Sequence, residues 1–138
     1  MNNNFISEVK NSIPAIADCR VELLKFGRKN KLSKECLFGL VLAVDELLMN
    51  IVLYGYKDDR EHSIFLEIKI DGENIYVQIV DDGIPFNPQS APSPDINTPV
   101  ETRTPGGLGI FLAKNYVNSI DYVFSEGKNR LKLHKFVC

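Results

Sequence analysis

Residues 83–105 (GIPFNPQSAPSPDINTPVETRTP) hold six of the seven prolines in a chain of 138 residues. Proline fixes φ and lacks an amide donor, so a run this dense is neither a helix interior nor a central strand. Regular structure must therefore lie on either side of it. Only residues 106–138 follow, too few to build a second core. A linker between two domains is thereby disfavoured, and the run is expected to be a binding loop or lid within one domain.

Composition then narrows the class. Apolar residues make up 44% and charged residues 25%, close to globular usage, so wholesale disorder is excluded. Sixteen Lys and Arg against eighteen Asp and Glu give a formal charge of −2, without the strong basic excess of a nucleic-acid binder. No apolar run approaches the roughly 20 residues that span a bilayer. The N-terminus, MNNNFISEVKNS, has no signal-peptide pattern. A soluble, cytoplasmic protein touching neither nucleic acid nor membrane is expected. Cys19, Cys36 and Cys138 form no close pair, so they read as buried or terminal thiols. His62 and His134 lack ligand-spaced companions and read as surface or edge-strand residues.

Hydrophobic periodicity predicts the elements around the loop. Residues 13–29 place Pro14 in a first helical turn, with Ile16, Val21 and Leu24 near helical spacing. Ser33 can cap a second helix in which Leu37, Leu40, Val41, Val44, Leu47, Leu48 and Ile51 recur at i, i+3, i+4 and i+7; Gly55 is a plausible stop. Within residues 41–53 only Asp45, Glu46 and Asn50 are polar, so this helix is buried on most sides. Two alternating runs follow, around Ile64–Ile70 and Ile75–Ile79, with Asp71-Gly72 marking a hairpin turn. Residues 106–118 (GGLGIFLAKNYVN) read as a glycine-rich start to a third helix. Strands near 120–125 and 130–137 surround Glu126-Gly127-Lys128-Asn129, and a short strand near 5–10 is weakly indicated. Helices and antiparallel hairpins segregated in this way give an α+β two-layer sandwich.

Three signals point to chemistry. Glu46 and Asn50 stand four residues apart on one helix face, about 6 Å along the axis. Small residues Gly39 and Ala43 extend that stripe and leave room for something to approach. Taken alone, the pair reads more readily as a structural polar pair or a solvent-facing edge. Asp81-Asp82-Gly83-Ile84-Pro85-Phe86 follows a strand directly. A strand-end carboxylate can accept from an exocyclic amine such as adenine's, and glycine lets a flat ligand pass the backbone, although Asp-x-Gly is also a common turn. Gly106-Gly107-Leu108-Gly109 opens a helix, where free amides and the helix dipole suit phosphate. It is neither a Walker loop nor a Rossmann fingerprint.

In this order the segments resemble a known family. AVDELLMNIVLYGY (43–56) looks like the N box, DDGIPFNP (81–88) the first glycine box and GGLGIFLAKNYVN (106–118) the second. These boxes are those of the histidine-kinase-like ATPase superfamily of gyrase, heat-shock chaperones, MutL and sensor kinases. The short form most resembles the anti-sigma factor serine/threonine kinases of bacteria. The resemblance implies a Bergerat-type sandwich with a mixed, mostly antiparallel sheet and helices on one face. It also implies one ATP-binding domain over 1–138, with a lid at about 87–105.

The resemblance also implies roles. Asn50 would bind Mg²⁺, Asp81 the adenine amine, with Gly83 shaping the floor. Gly107, Leu108 and Gly109 would meet the phosphates of ATP, and Glu46 would be the general base. Arg103 and Thr104 are candidate lid contacts. Asn87 departs from the family, which often has Asp there. The implied activity is Mg-ATP-dependent phosphorylation of a small anti-anti-sigma (STAS-type) protein on Ser or Thr. A sigma factor is the implied second partner and a homodimer the implied assembly. Two alternatives stay open: a nucleotide-gated switch that transfers nothing, and a detached sensor-kinase domain acting on histidine. Arg20 would offer a partner-facing charge, although a solvated helix face explains it equally well. With the ATP-binding domain taking up nearly the whole chain, specificity is expected to come from another protein.

Overall fold

The computed structural model describes residues 3–90 and 107–137. Strand β1 (Asn4–Lys10) leads into helices α1 (Ile13–Lys29) and α2 (Lys34–Tyr54). The hairpin β2 (Ser63–Asp71) and β3 (Asn74–Asp81) follows. After it come a short 3-10 turn at Pro88–Ser90, helix α3 (Gly107–Tyr116), and the hairpin β4 (Ser119–Ser125) and β5 (Lys128–Phe136).

Local chemistry explains the boundaries. Ser12 and Ser33 cap the two long helices, their hydroxyls accepting the N–H groups of Ala15 at 3.2 Å and Cys36 at 3.1 Å. The Gly55 N–H closes α2 on the Ile51 carbonyl at 2.8 Å. The β2–β3 turn has Gly72 at φ +60° at its first loop position, where a side chain would be strained. In the β4–β5 turn both Glu126 (φ +54°) and Gly127 (φ +75°) are left-handed, as a two-residue primed turn requires.

The five strands lie in the order β1-β2-β3-β5-β4. Every pairing is antiparallel, so the mixed sheet expected from the sequence is corrected to an antiparallel one. The connections account for this. Two helices between β1 and β2 bring the chain back to run against β1. The single helix α3 leaves β4 running the same way as β3, but β5 lies between them.

Burial alternates along each strand. Val9, Ile64, Leu66, Ile68, Ile75, Val77, Ile79, Leu131 and Leu133 face the helices and join Ile16, Leu23, Leu40, Val44 and Leu48 in one core. Ile6, Phe65, Tyr76, Val123 and Phe136 emerge exposed on the other face. The helices therefore cover one side of the sheet, as expected. Helix α2 is by length and composition apolar enough to cross a membrane, against the expectation of no such run. Asp45 and Glu46 interrupt it, however, and seven of its residues are buried in the core. Cys19 and Cys36 are buried free thiols; Cys138 lies outside the described residues.

Candidate functional site

Helix α2 separates its polar groups by direction. Asp45 turns toward α1 and binds Arg20, whose Nη2 and Nε donate to the same carboxylate oxygen at 2.7 and 3.0 Å. Arg20 is thus paired within the chain while its side chain stays 40% exposed. Glu46 and Asn50 share the next face and are half-buried. Desolvation first, and then the neighbouring Asp45 charge, raise the Glu46 pKa above the ordinary carboxylate value. A carboxylate so placed is a stronger base than a solvated one.

The small residues of α2 serve another purpose than expected. A methyl group on Gly39 would lie 2.2 Å from the Tyr116 ring, and the Tyr116 hydroxyl donates to the Cys36 carbonyl at 2.8 Å. The space above Gly39 is filled by α3, so this part of the stripe is a helix crossing and not room for a ligand.

At the end of β3, Asp81 is only 7% exposed. Its Oδ1 accepts from the Gly83 N–H at 2.9 Å and from Asn129 Nδ2 at 3.0 Å. Desolvation raises its pKa, opposed by those two donors. The turn packs on the end of α2: Ile84 N–H donates to the Gly55 carbonyl at 2.8 Å. A methyl on Gly83 would stand 2.5 Å from that carbonyl oxygen. Glycine is required here because one backbone presses on another.

Tyr56 and His62 stack beside this turn, with ring centroids 4.1 Å apart. His62 Nε2 lies 2.8 Å from Asp58 and Nδ1 3.2 Å from Asp82. The hydrogen bond to Asp58 is the main cause raising its pKa. Of the surface or edge-strand expectation the edge half is corrected: His62 is partly exposed and precedes β2, an interior strand. His134 likewise sits on the interior strand β5 and donates to Asn74 Oδ1 at 2.8 Å. The edges are β1 and β4, because the two hairpins join through β3 and β5. Burial raises the Tyr56 pKa, reinforced by Asp81 and Asp82; its hydroxyl is buried without a hydrogen-bond partner among the described residues. A cavity of about 240 Å³ lined by His62, Phe65, Asp81, Asp82 and Lys128 opens beside this turn.

The third expected segment begins α3, whose first turn is Gly107-Leu108-Gly109. Of the lid, Asn87 and the turn at Pro88–Ser90 are described, with Asn87 Oδ1 accepting the Gln89 N–H at 2.9 Å. Arg103, Thr104 and Gly106 lie outside the described residues.

A helix carrying Glu46 and Asn50, a strand-end Asp81 turn pressed against it and a glycine-led helix thus stand in one α+β layer arrangement. Residues 11–135 match the model of the histidine kinase-like ATPase domain. The chain belongs to this family. Its relatives include the serine/threonine-protein kinase BtrW of Bordetella bronchiseptica, 28% identical over 76% of this chain and 74% of BtrW. The serine-protein kinase RsbW of Bacillus mycoides is 27% identical over 87% of this chain and 79% of its own length. In fold, the chain resembles a crystal structure of the RsbU and RsbW domains of Rv1364c from Mycobacterium tuberculosis. That match has a TM-score of 0.67 at 16% identity, covering 99% of this chain and 33% of that one.

The described residues suit what a member of this ATPase family must hold. Asp81 Oδ2 accepts no hydrogen bond among the described residues while Oδ1 accepts two, leaving one acceptor on a buried carboxylate. No cluster of three or more His, Cys, Asp or Glu able to hold a metal occurs among the described residues. A single Asn50 carbonyl fits Mg²⁺ even so, because that ion commonly takes one or two protein ligands and fills the rest with phosphate and water.

Sequence reasoning overlooked Asn129. It appeared as the last residue of a turn, yet it is only 5% exposed and lies in β5 opposite Asp81. Its signal was present in the alternation, since 129, 131 and 133 share a phase and the latter two are core leucines.

Proposed function

We propose that this chain is a cytoplasmic, Mg-ATP-dependent serine/threonine protein kinase that acts as an anti-sigma factor. Its substrate would be a serine or threonine on a small anti-anti-sigma (STAS-type) protein, and it would also sequester a sigma factor. The observation that carries this reading is Glu46: a half-buried carboxylate of raised pKa on α2, one helical turn from Asn50. A carboxylate there can orient and deprotonate an attacking seryl hydroxyl or water. The kinase names of the relatives support the same reading.

Each residue has one task. Asp81 accepts the adenine amine through its spare oxygen, and Gly83 keeps the backbone low beside the base. The amides of Gly107, Leu108 and Gly109 donate to phosphate at the start of α3. Asn50 holds Mg²⁺ through its side-chain carbonyl; the ion supplies neutralisation of phosphate charge. Glu46 orients the seryl hydroxyl and takes its proton as the oxygen bonds to the terminal phosphorus and ADP leaves. The whole chain forms one ATP-binding domain, with residues 87–105 as its lid.

Incubation with labelled ATP and small candidate protein partners from neighbouring genes tests this reading. Acid-stable phosphoserine or phosphothreonine on a partner is expected. Partner binding that changes with ATP but leaves no label would favour the switch, and an acid-labile product would point to histidine transfer.

A further inference from the structure

We propose that Asn129 is the positioning residue of the nucleotide site, presenting Asp81 to the base and anchoring the start of the Pro-rich loop. This rests on the reading of Asp81 as the adenine acceptor. Asn129 uses both ends of its buried amide. Nδ2 donates to Asp81 Oδ1 at 3.0 Å and to the Ile84 carbonyl at 2.9 Å, with the Gly83 carbonyl at 3.3 Å. Oδ1 accepts from the Phe86 N–H at 3.1 Å and from the Tyr122 hydroxyl. Two donors meet the oxygen and three acceptors meet the nitrogen, so the amide has one satisfied orientation.

Three consequences follow from that wiring. Asp81 Oδ1 is occupied by two donors, which leaves Oδ2 as the open acceptor among the described residues. Donors on the ionised carboxylate also oppose its desolvation. Gly83, Ile84 and Phe86 are the opening residues of the loop, and the same side chain ties them to β5. Base recognition and the root of the loop therefore share one amide. Leucine would have the shape without the bonds, and aspartate would set a second carboxylate against the first.

The test compares ATP with purine riboside triphosphate, which lacks only the exocyclic amine, by calorimetry on the full chain. The parent should prefer ATP by about tenfold or more, the worth of a hydrogen bond to a charged acceptor. In Asn129→Ala the preference should fall to within about twofold, with much less change in affinity for the analogue. The acid limb of ATP affinity should also move to higher pH; Asp82 and Tyr56, the ionisable neighbours of Asp81, are unchanged in that variant. Tyr122→Phe keeps the amide but removes one group that fixes it, so it should lower the preference severalfold even if Asn129→Ala fails to fold. Retention of the parental preference and acid limb in the folded variants overturns the proposal, whatever their loss of thermal stability. A parent that fails to discriminate refutes the reading of Asp81 itself, and the proposal with it.

Discussion

The carbonyl oxygen of Gly55 accepts the N–H of Ile84 at 2.8 Å, joining the end of the helix that carries Glu46 and Asn50 to the turn that carries Asp81. Gly83 sits in that joint, where an added methyl would stand 2.5 Å from the same carbonyl. Because the obstacle is backbone, Gly83→Ala must push helix and turn apart. ATP affinity by calorimetry should fall about tenfold or more, equivalent to ~1.4 kcal/mol. A variant that binds ATP like the parent would show that the joint does not shape the site.

Helix packing at Gly39 gives a prediction about stability. Its Cβ would meet the Tyr116 ring at 2.2 Å, and the ring cannot turn away without surrendering its bond to the Cys36 carbonyl. Gly39→Ala should therefore cost about 1–3 kcal/mol in urea unfolding, as overpacking does. A gain in stability, the usual result of Gly→Ala in an open helix, would mean the crossing is looser than described.

His62 gives a pH dependence. Its folded pKa lies above the unfolded 6.5, chiefly through Asp58 and further through Asp82. A raised histidine contributes stability that is full below the unfolded pKa and is lost as pH rises through the folded one. Thermal scans should show the melting temperature declining above pH 6.5, and His62→Gln should flatten that decline. An equal decline in the variant would assign it to other groups.

Asn50→Ala removes the side chain proposed to hold Mg²⁺. Nucleotide affinity should lose its dependence on Mg²⁺ while binding in EDTA stays near the parental value. Titration with and without the ion checks this, and an undiminished Mg²⁺ effect would move the metal elsewhere.

Elements with strong periodicity were legible in the sequence: α2, with Ser33 and Gly55 at its ends, and the hairpin around Gly72 stand where hydrophobic spacing and turn chemistry put them. β1 was faint because Asn4, Ser7 and Glu8 dilute its alternation. The sheet's pairing was not legible, since strand order depends on how many helices return the chain. Gly39 misled because a small residue makes the same groove for a helix as for a ligand. Asn129 was missed because its partner Asp81 is distant in sequence, and only the β3–β5 pairing brings them together; His62 takes Asp58 from four residues back and Asp82 from across the β2–β3 hairpin.

The base assignment is tested most directly by comparing the parent with Glu46→Gln in two measurements on the same samples: ATP affinity, and single-turnover phosphate transfer to the cognate partner protein. Near-isosteric glutamine leaves the bulk of the site intact but cannot accept the seryl proton. Affinity should stay within about twofold, equivalent to less than ~0.5 kcal/mol, while transfer slows by about 10²–10⁴-fold, the span of general-base catalysis. Transfer at the parental rate by the glutamine variant would contradict Glu46 as the base and with it the mechanism proposed for this chain.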